Sequence, residues 1–314
     1  MRTDRLHSMP LWPALLGAGA IGALTAVQAR INGLLGVAVE DGVFAGFLSF
    51  AVGLTLLAVV VPLLPKERAA LGRAWRGLRA RTIPWWMLVG GACGALTVST
   101  QGLTVALLGV SLFTVGVVAG QAFHGLLLDR IGIGPAGVVA ITRGRVAGGL
   151  LALAAVAVSL SGDVLASAPL WMLVLPFLAG AGIAFQQAVN GRLGQHIQAP
   201  LSATFISFLV GTAVLVVLAA TSAAVQGPPA PLPGQWWLYL GGPIGVVYIL
   251  LSVVVVVRTG VLLMGLGVVL GQLMTSVVID LLWPSAAGPQ PWQVIAMVAL
   301  SAASVLVALL WRRR

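Results

Sequence analysis

The stretch "AVQARINGLLG", Ala26 to Gly36, decides how this chain is read. It sets a glutamine, an arginine and an asparagine inside a segment that is otherwise hydrocarbon. The interruption returns as "AFQQAVNGRLG", Ala184 to Gly194. Laying Gln28 on Gln186 puts Asn32 on Asn190, Gly33 on Gly191, Leu35 on Leu193 and Gly36 on Gly194. With no gap, Phe47 then meets Phe205, Ser49 meets Ser207, Phe50 meets Phe208 and Gly53 meets Gly211. A second block, offset by about seven residues in this alignment, aligns "WWMLVGGACG" from Trp85 with "WWLYLGGPIG" from Trp236. It runs without a gap to "GVVAGQ" (Gly116 to Gln121) and "GVVLGQ" (Gly267 to Gln272), and onward to Asp129 and Asp280. Shared Ala and Val carry little weight in an apolar chain. Shared Gln, Asn, paired Trp and phased Gly carry much more, so the chain reads as a duplication, residues 1–162 and 163–314.

Composition explains why polar residues stand out. Of 314 residues, 60% are hydrophobic and 8% charged, and the mean hydropathy is +1.08. A soluble domain carries about 25% charged residues, so this chain cannot cover itself in water and is read as an integral membrane protein. Many apolar runs reach the roughly 20 residues that span a bilayer as a helix. Barrel strands would be shorter and half polar. The expected fold is therefore all-α, with ten spans near 11–37, 42–63, 84–107, 110–130, 145–161, 169–193, 200–221, 236–257, 260–283 and 292–311. Pro10, Pro84, Pro169, Pro200 and Pro291 lie near helix starts, where a missing N–H costs little. The N-terminal "MRTDRLHSMPLWPALLGAGA" has a signal-peptide flavour, but its apolar run continues too far, and it is read as the first span.

A formal charge of +10 suggests nucleic acid until the charges are located. They sit in short connections between spans, where they set orientation instead. Arg2 and Arg5 precede span one, and Lys66 to Arg81 fill the connection after span two. Arg130, Arg143 and Arg145 follow span four, Arg192 ends span six, Arg258 follows span eight, and Arg312 to Arg314 follow span ten. Glu40, Asp41 and Asp163 mark the other side. Both termini are thus expected in the cytoplasm of a bacterium whose arginine-rich usage suggests a GC-rich genome. The basic connection from Lys66 to Arg81 is read as a topology determinant, with anionic lipid as the alternative. The single cysteine, Cys93, excludes an internal disulfide framework and gives no metal signature. No cofactor is expected, and no metal-ligand cluster, nucleophile elbow or acid pair suggests an enzyme.

Five spans per half is an odd number, so the second half enters the membrane from the opposite side. Such an inverted repeat is a common construction of secondary transporters. A first span ending in Q-x-x-x-N-[GA]-x-L-G (Gln28 to Gly36), a span with F-x-S-F-x-x-G (Phe47 to Gly53), then W-W and G-G, then G-Q, resembles the YdcZ family of the drug/metabolite transporter superfamily. The resemblance covers nearly all of the chain. It implies five-span units, here fused in antiparallel orientation, and a transport function in the inner membrane with no stated substrate. Small multidrug exporters of the same superfamily use a glutamate in their first span for proton coupling. Gln28 and Gln186 cannot do that, so their proton mechanism does not transfer.

Gln28 and Asn32 share a helical face, as do Gln186 and Asn190. Two roles fit these amides: a substrate site lined by both pairs, or interhelical glue at about 0.6–2 kcal/mol per contact. Ser49 and Ser207 line the same cavity or bond back to their own helix. Gly33 and Gly191 serve packing or a hinge. Gly116 with Gly120 and Gly267 with Gly271 form GxxxG packing pairs, followed directly by Gln121 and Gln272 as further cavity candidates. Arg30 either snorkels to the acidic surface or faces the cavity, where it favours an anionic or polar substrate; its counterpart is Ala188. His124, Asp129 and Asp280 are candidates for coupling to protons or another ion, against a carbonyl-bonded histidine and loop-capping carboxylates. Trp85–Trp86 and Trp236–Trp237 suit interfacial belts. The expected function is a secondary carrier for a small polar metabolite or drug-like solute, working by alternating access as a monomer or weak homo-oligomer. A channel and a non-transporting membrane scaffold are the alternatives.

Overall fold

A computed structural model describes residues 12–159, 170–283 and 291–310, and these contain helices and no strand. The helices are α1 (Trp12–Ala38), α2 (Gly42–Leu63), α3 (Pro65–Arg79), α4 (Gly90–Ile131), α5 (Arg143–Ser159), α6 (Leu170–Ile197), α7 (Pro200–Gln226), α8 (Gly241–Leu282) and α9 (Pro291–Leu310). Short 3₁₀ turns at Trp85–Leu88 and Trp236–Leu240 lead into α4 and α8. Among the described residues, five helical stretches are long and apolar enough to cross a membrane: Trp12–Ala38, Gly42–Leu63, Trp85–Leu108, Pro200–Gln226 and Trp236–Ile279.

Expected spans three and four run together as α4, and spans eight and nine as α8. Each is 42 residues long, about 63 Å if straight and twice the hydrocarbon thickness. Neither is straight. In α8, Gly260 takes φ 73°, ψ 173°, a conformation open essentially to glycine, and the chain reverses there without a loop. Val255 packs on Gly17 before the bend; Gly267 and Gly271 pack on Ala18 and Gly19 after it. α4 also doubles back. Gly90 lies against Asn190, Gly102 against Gly42, and the chain returns so that Gly134 lies near Ala188.

Tight backbone approaches hold this arrangement. Gly22 of α1 abuts the Val268 carbonyl, and Gly271 abuts the Gly19 carbonyl. The aligned positions of the other half do likewise: Gly180 meets the Val117 carbonyl and Gly120 meets the Phe177 carbonyl. In lipid, where hydrocarbon surrounds both states, such van der Waals contact is a main source of helix association.

The basic connection after span two is a helix, not a loop. Pro65 stands in its first turn with Glu67, and Arg76 and Arg79 in its last, which complements the helix dipole. Ala70 and Ala74 are buried beside Ile83, Met87 and Ile197. Arg73 donates from Nε and Nη2 to the Ile197 carbonyl (3.1 and 2.7 Å), closing the end of α6. Glu67 Oε2 accepts from Ser202 N (3.0 Å) and Ser202 Oγ (2.7 Å) at the start of α7. α3 thus clips the α6–α7 connection. At the opposite end, Asp41 caps α2 by accepting from Val43 N (2.8 Å) and Phe44 N (2.9 Å). Asp41→Ala is expected to lose about 1 kcal/mol, read as earlier melting, whereas Asp41→Ser keeps most of it.

Candidate functional site

The two amide pairs do not face open space. Each is docked on the paired glycines of the other half. Gln28 donates from Nε2 to the Gly241 carbonyl at 2.7 Å. A Cβ on Gly241 would collide with Asn32 Oδ1 and sit 2.9 Å from Ser49 Oγ; one on Gly245 would sit 2.6 Å from Gln28 Nε2. Across the molecule, a Cβ on Gly90 would sit 2.6 Å from Asn190 Oδ1, and one on Gly94 would sit 2.5 Å from Gln186 Nε2. The glycines after each W-W motif are therefore side-chain-free because an amide of the opposite half occupies that place. Between the clusters, Phe50 and Phe208 stack with centroids 4.7 Å apart. Gly53 and Gly211 make room for the rings.

Aligned positions do not make the same bonds. Asn32 Nδ2 donates to Gln101 Oε1 at 2.7 Å. Asn190 Nδ2 donates instead to Ser207 Oγ at 3.0 Å, and Gln186 Nε2 donates to the same oxygen at 3.2 Å. Ser49 Oγ, by contrast, has no partner. Gln28 Oε1, Asn32 Oδ1, Gln101 Nε2 and Gln187 Oε1 are also buried without a hydrogen bond. A buried polar atom left unbonded costs about 1–3 kcal/mol.

A void of about 10 Å³ lies in the second cluster, lined by Gln186, Gln187, Asn190, Tyr248 and Ser252 among others. It is on the scale of one water. A larger groove of about 580 Å³ is open and almost wholly apolar, lined by residues such as Trp12, Leu16, Ala20 and Met274. It suits hydrocarbon and contains none of the amides.

Gln121 and Gln272 are buried, and none of their amide atoms is hydrogen-bonded. They lie on the returning halves of α4 and α8, outside the two clusters just described. Thr114 Oγ1 and Ser276 Oγ, 2.9 Å apart, tie those halves together. Arg30 is half-buried and makes no hydrogen bond or ion pair among the described residues. His124 Nδ1 lies 3.1 Å from the Gly120 carbonyl and packs edge-on against Phe123 and Phe177. Asp280 is in α8, but its side chain falls outside the described residues. Trp85 and Trp236 are exposed at 71% and 73%, whereas Trp86 receives the Arg192 guanidinium at 5.7 Å.

Asp129, at the end of α4, bonds to groups on α5 and α8. It is 1% exposed and pairs with Arg145 Nη2. It also accepts from Val261 N and Leu262 N, each at 3.0 Å. These are the first amides after the Gly260 bend, where a helix N-terminus has free N–H groups and partial positive charge. Asp129 is thus the cap of the returning half of α8.

A family model described as "Putative inner membrane exporter, YdcZ" matches residues 13–158 and 171–306. The chain belongs to the YdcZ family. A YdcZ-family chain is a membrane protein of the transporter class, placed by that description in the inner membrane, and its long apolar helices agree. A solved structure described as "Crystal structure of protein" matches this YdcZ-family chain with TM-score 0.60 and 20% identity, over 96% of each chain. At that identity the likeness shows a shared fold. No curated protein matches.

Sequence reading of this YdcZ-family member missed Phe50 and Phe208 as a stacked pair and Gln101, Gln187, Tyr248 and Ser252 as neighbours of the amides. The aligned Phe pair and the polar residues in hydrocarbon were available signals. Arg145 was counted only among the orienting charges.

Proposed function

We propose that this protein is a secondary carrier that moves a small polar solute across the inner membrane by alternating access. Its two five-span halves, residues 1–162 and 163–314, would be inverted relative to each other, with both termini in the cytoplasm. The single observation that carries this reading is the reciprocal docking of amides on glycines. Gln28 and Asn32 meet Gly241 and Gly245, while Gln186 and Asn190 meet Gly90 and Gly94. An interface in which both halves use the same parts has two equivalent ways to open, one to each side. The family match in two segments supports the duplication. The unbonded Gln187 Oε1, beside the small void at Gln186 and Asn190, supports a site that bonds to solute. Gln121, Gln272 and Arg30 would border the path rather than its centre. Asp129 would hold the returning half of α8 in place, and Asp129, Asp280 and His124 would be the candidates for coupling to a proton or another ion. No catalytic role is assigned.

The hydrogen bond from Gln28 to Gly241 favours a second reading, in which the amides only pin the halves together. One experiment separates the two. A solute that stabilises the purified protein in a thermal screen is followed by counterflow in proteoliposomes. Gln28→Ala with Gln186→Ala is expected to lower transport at least tenfold while the protein elutes and melts as a folded species. Undiminished transport by the folded variant would refute the carrier site. Loss of folding itself would favour pinning.

A further inference from the structure

The two amide clusters are not equivalent, and several of the differences in residue type between them fall around one void. In the aligned halves, Gln101 corresponds to Ser252, Thr97 to Tyr248 and Ala29 to Gln187. In the first half the long Gln101 side chain reaches Asn32 and bonds its amide at 2.7 Å. In the second half Ser252 is too short to do this. Its hydroxyl turns back to the Tyr248 carbonyl at 2.7 Å, and the space Gln101 fills in the first half is the void beside Gln186 and Asn190. Gln187 and Tyr248, which stand where the first half has Ala29 and Thr97, are among the residues that line it. Gln187 is 4% exposed and its Oε1 has no hydrogen bond, so a buried acceptor is left free at a cavity.

We propose that solute is held in the second half only, in the pocket left by Ser252, and that Gln101 plugs the matching place in the first half. This rests on the carrier reading and sharpens it. Most of the pocket's surface is apolar, the Gln186, Asn190 and Ser252 donors are already engaged, and the group left free among its residues is the Gln187 Oε1 acceptor, which can take one hydrogen bond from a hydroxyl or amide. No carboxylate or basic side chain lines the pocket. A charged ligand buried there would have no counter-charge and would lose its hydration uncompensated. The ligand class is therefore an uncharged solute whose hydroxyl or amide group donates the missing hydrogen bond. Tyr248, Gln187 and Ser252 are its specificity-determining residues. At about 10 Å³ the pocket is closed around little more than a water's volume, and the opening of alternating access would enlarge it.

The test uses the full chain with its one native thiol removed, Cys93→Ala, reconstituted in liposomes. Gln187→Cys and, separately, its counterpart Ala29→Cys report access to the two clusters. The probes are three methanethiosulfonates bearing a neutral hydroxyethyl, an anionic sulfonatoethyl or a cationic trimethylammonioethyl group, each rate taken relative to a free thiol. Gln187→Cys is expected to react at least tenfold faster with the hydroxyethyl reagent than with either charged one. Adding Ser252→Gln, which installs the residue the twin site already carries, is expected to slow that reaction at least tenfold. Ala29→Cys is expected to react slowly with all three. Equal reaction at both positions, indifference to probe charge, or indifference to Ser252→Gln would each overturn the one-sided pocket and leave the carrier reading standing. No reaction at either position would remove both, because neither amide cluster would then be reached from water.

Discussion

Asp129→Ala is expected to lower the stability of the protein by about 3–5 kcal/mol, the cost of stranding one member of a buried ion pair. Arg145 is 8% exposed, its Nε has no partner, and its Nη2 group rests on Asp129. Alanine at 129 would leave that guanidinium uncompensated. It would also release Val261 N and Leu262 N, which have no helical carbonyl to bond at the start of a helix. Two further variants divide the effect. Asp129→Asn keeps an acceptor for the helix amides but loses the charge, so its loss is expected to be smaller than alanine's. Arg145→Met removes the cation that needs compensation, and the Asp129→Asn, Arg145→Met double variant should sit well above the sum of the two single losses. Cys93 is the sole cysteine and is partly buried, so a thiol-reactive fluorophore reads unfolding without any added label site. A drop in melting temperature of roughly 5–10 °C would accompany a loss of this size. Wild-type melting of Asp129→Ala would show that the carboxylate does not hold the returning helix.

Gly91→Val and Gly242→Val are expected to abolish folding to a single species. A Cβ at Gly91 collides with the Ser207 carbonyl, and one at Gly242 with the Ser49 carbonyl. A flexible side chain can swing away from a new methyl group, but a helical carbonyl cannot. The helices would have to part, and the Phe50–Phe208 stack, worth about 0.5–1.5 kcal/mol beyond the area it buries, would open with them. Gly149→Val is the control, since a Cβ there meets nothing within 4 Å. The measurement is the monodisperse yield on size exclusion in detergent, followed by melting. Wild-type yield from Gly91→Val would mean that the close approach of α4 and α7 is dispensable.

Much of this arrangement is legible in the chain itself, for identifiable reasons. Gln28, Asn32, Gln186 and Asn190 stand out because hydrogen-bonding groups in hydrocarbon are costly. The glycines after Trp85–Trp86 and Trp236–Trp237 stand out because they are phased. What could not be read is that these two signals are halves of one contact, since Gln28 and Gly241 are 213 residues apart. The helix α3 was legible in principle: Pro65 and Glu67 at its start, Arg76 and Arg79 at its end, and Ala70 and Ala74 on one face. Its charges also suit a connection that only orients the chain. Asp129 was read as a capping or coupling carboxylate on its aligned position. Its partner Arg145 was not found, because a charge at the end of a span looks the same whether it orients the chain or neutralises a neighbour.

The sequence by itself determined that the chain is an all-helical membrane protein with a repeated set of polar interruptions, because apolar length and buried polarity are local properties. Tertiary structure decided which groups meet those interruptions: glycines of the opposite half for the amides, a helix bent at Gly260 for Asp129. It also decided that Gln101 fills on one side the space that Ser252 leaves on the other. The physical reason is that hydrocarbon obliges a polar group to find a partner but does not choose it. The choice is made by which helices can approach closely enough, and that depends on residues far apart in the chain.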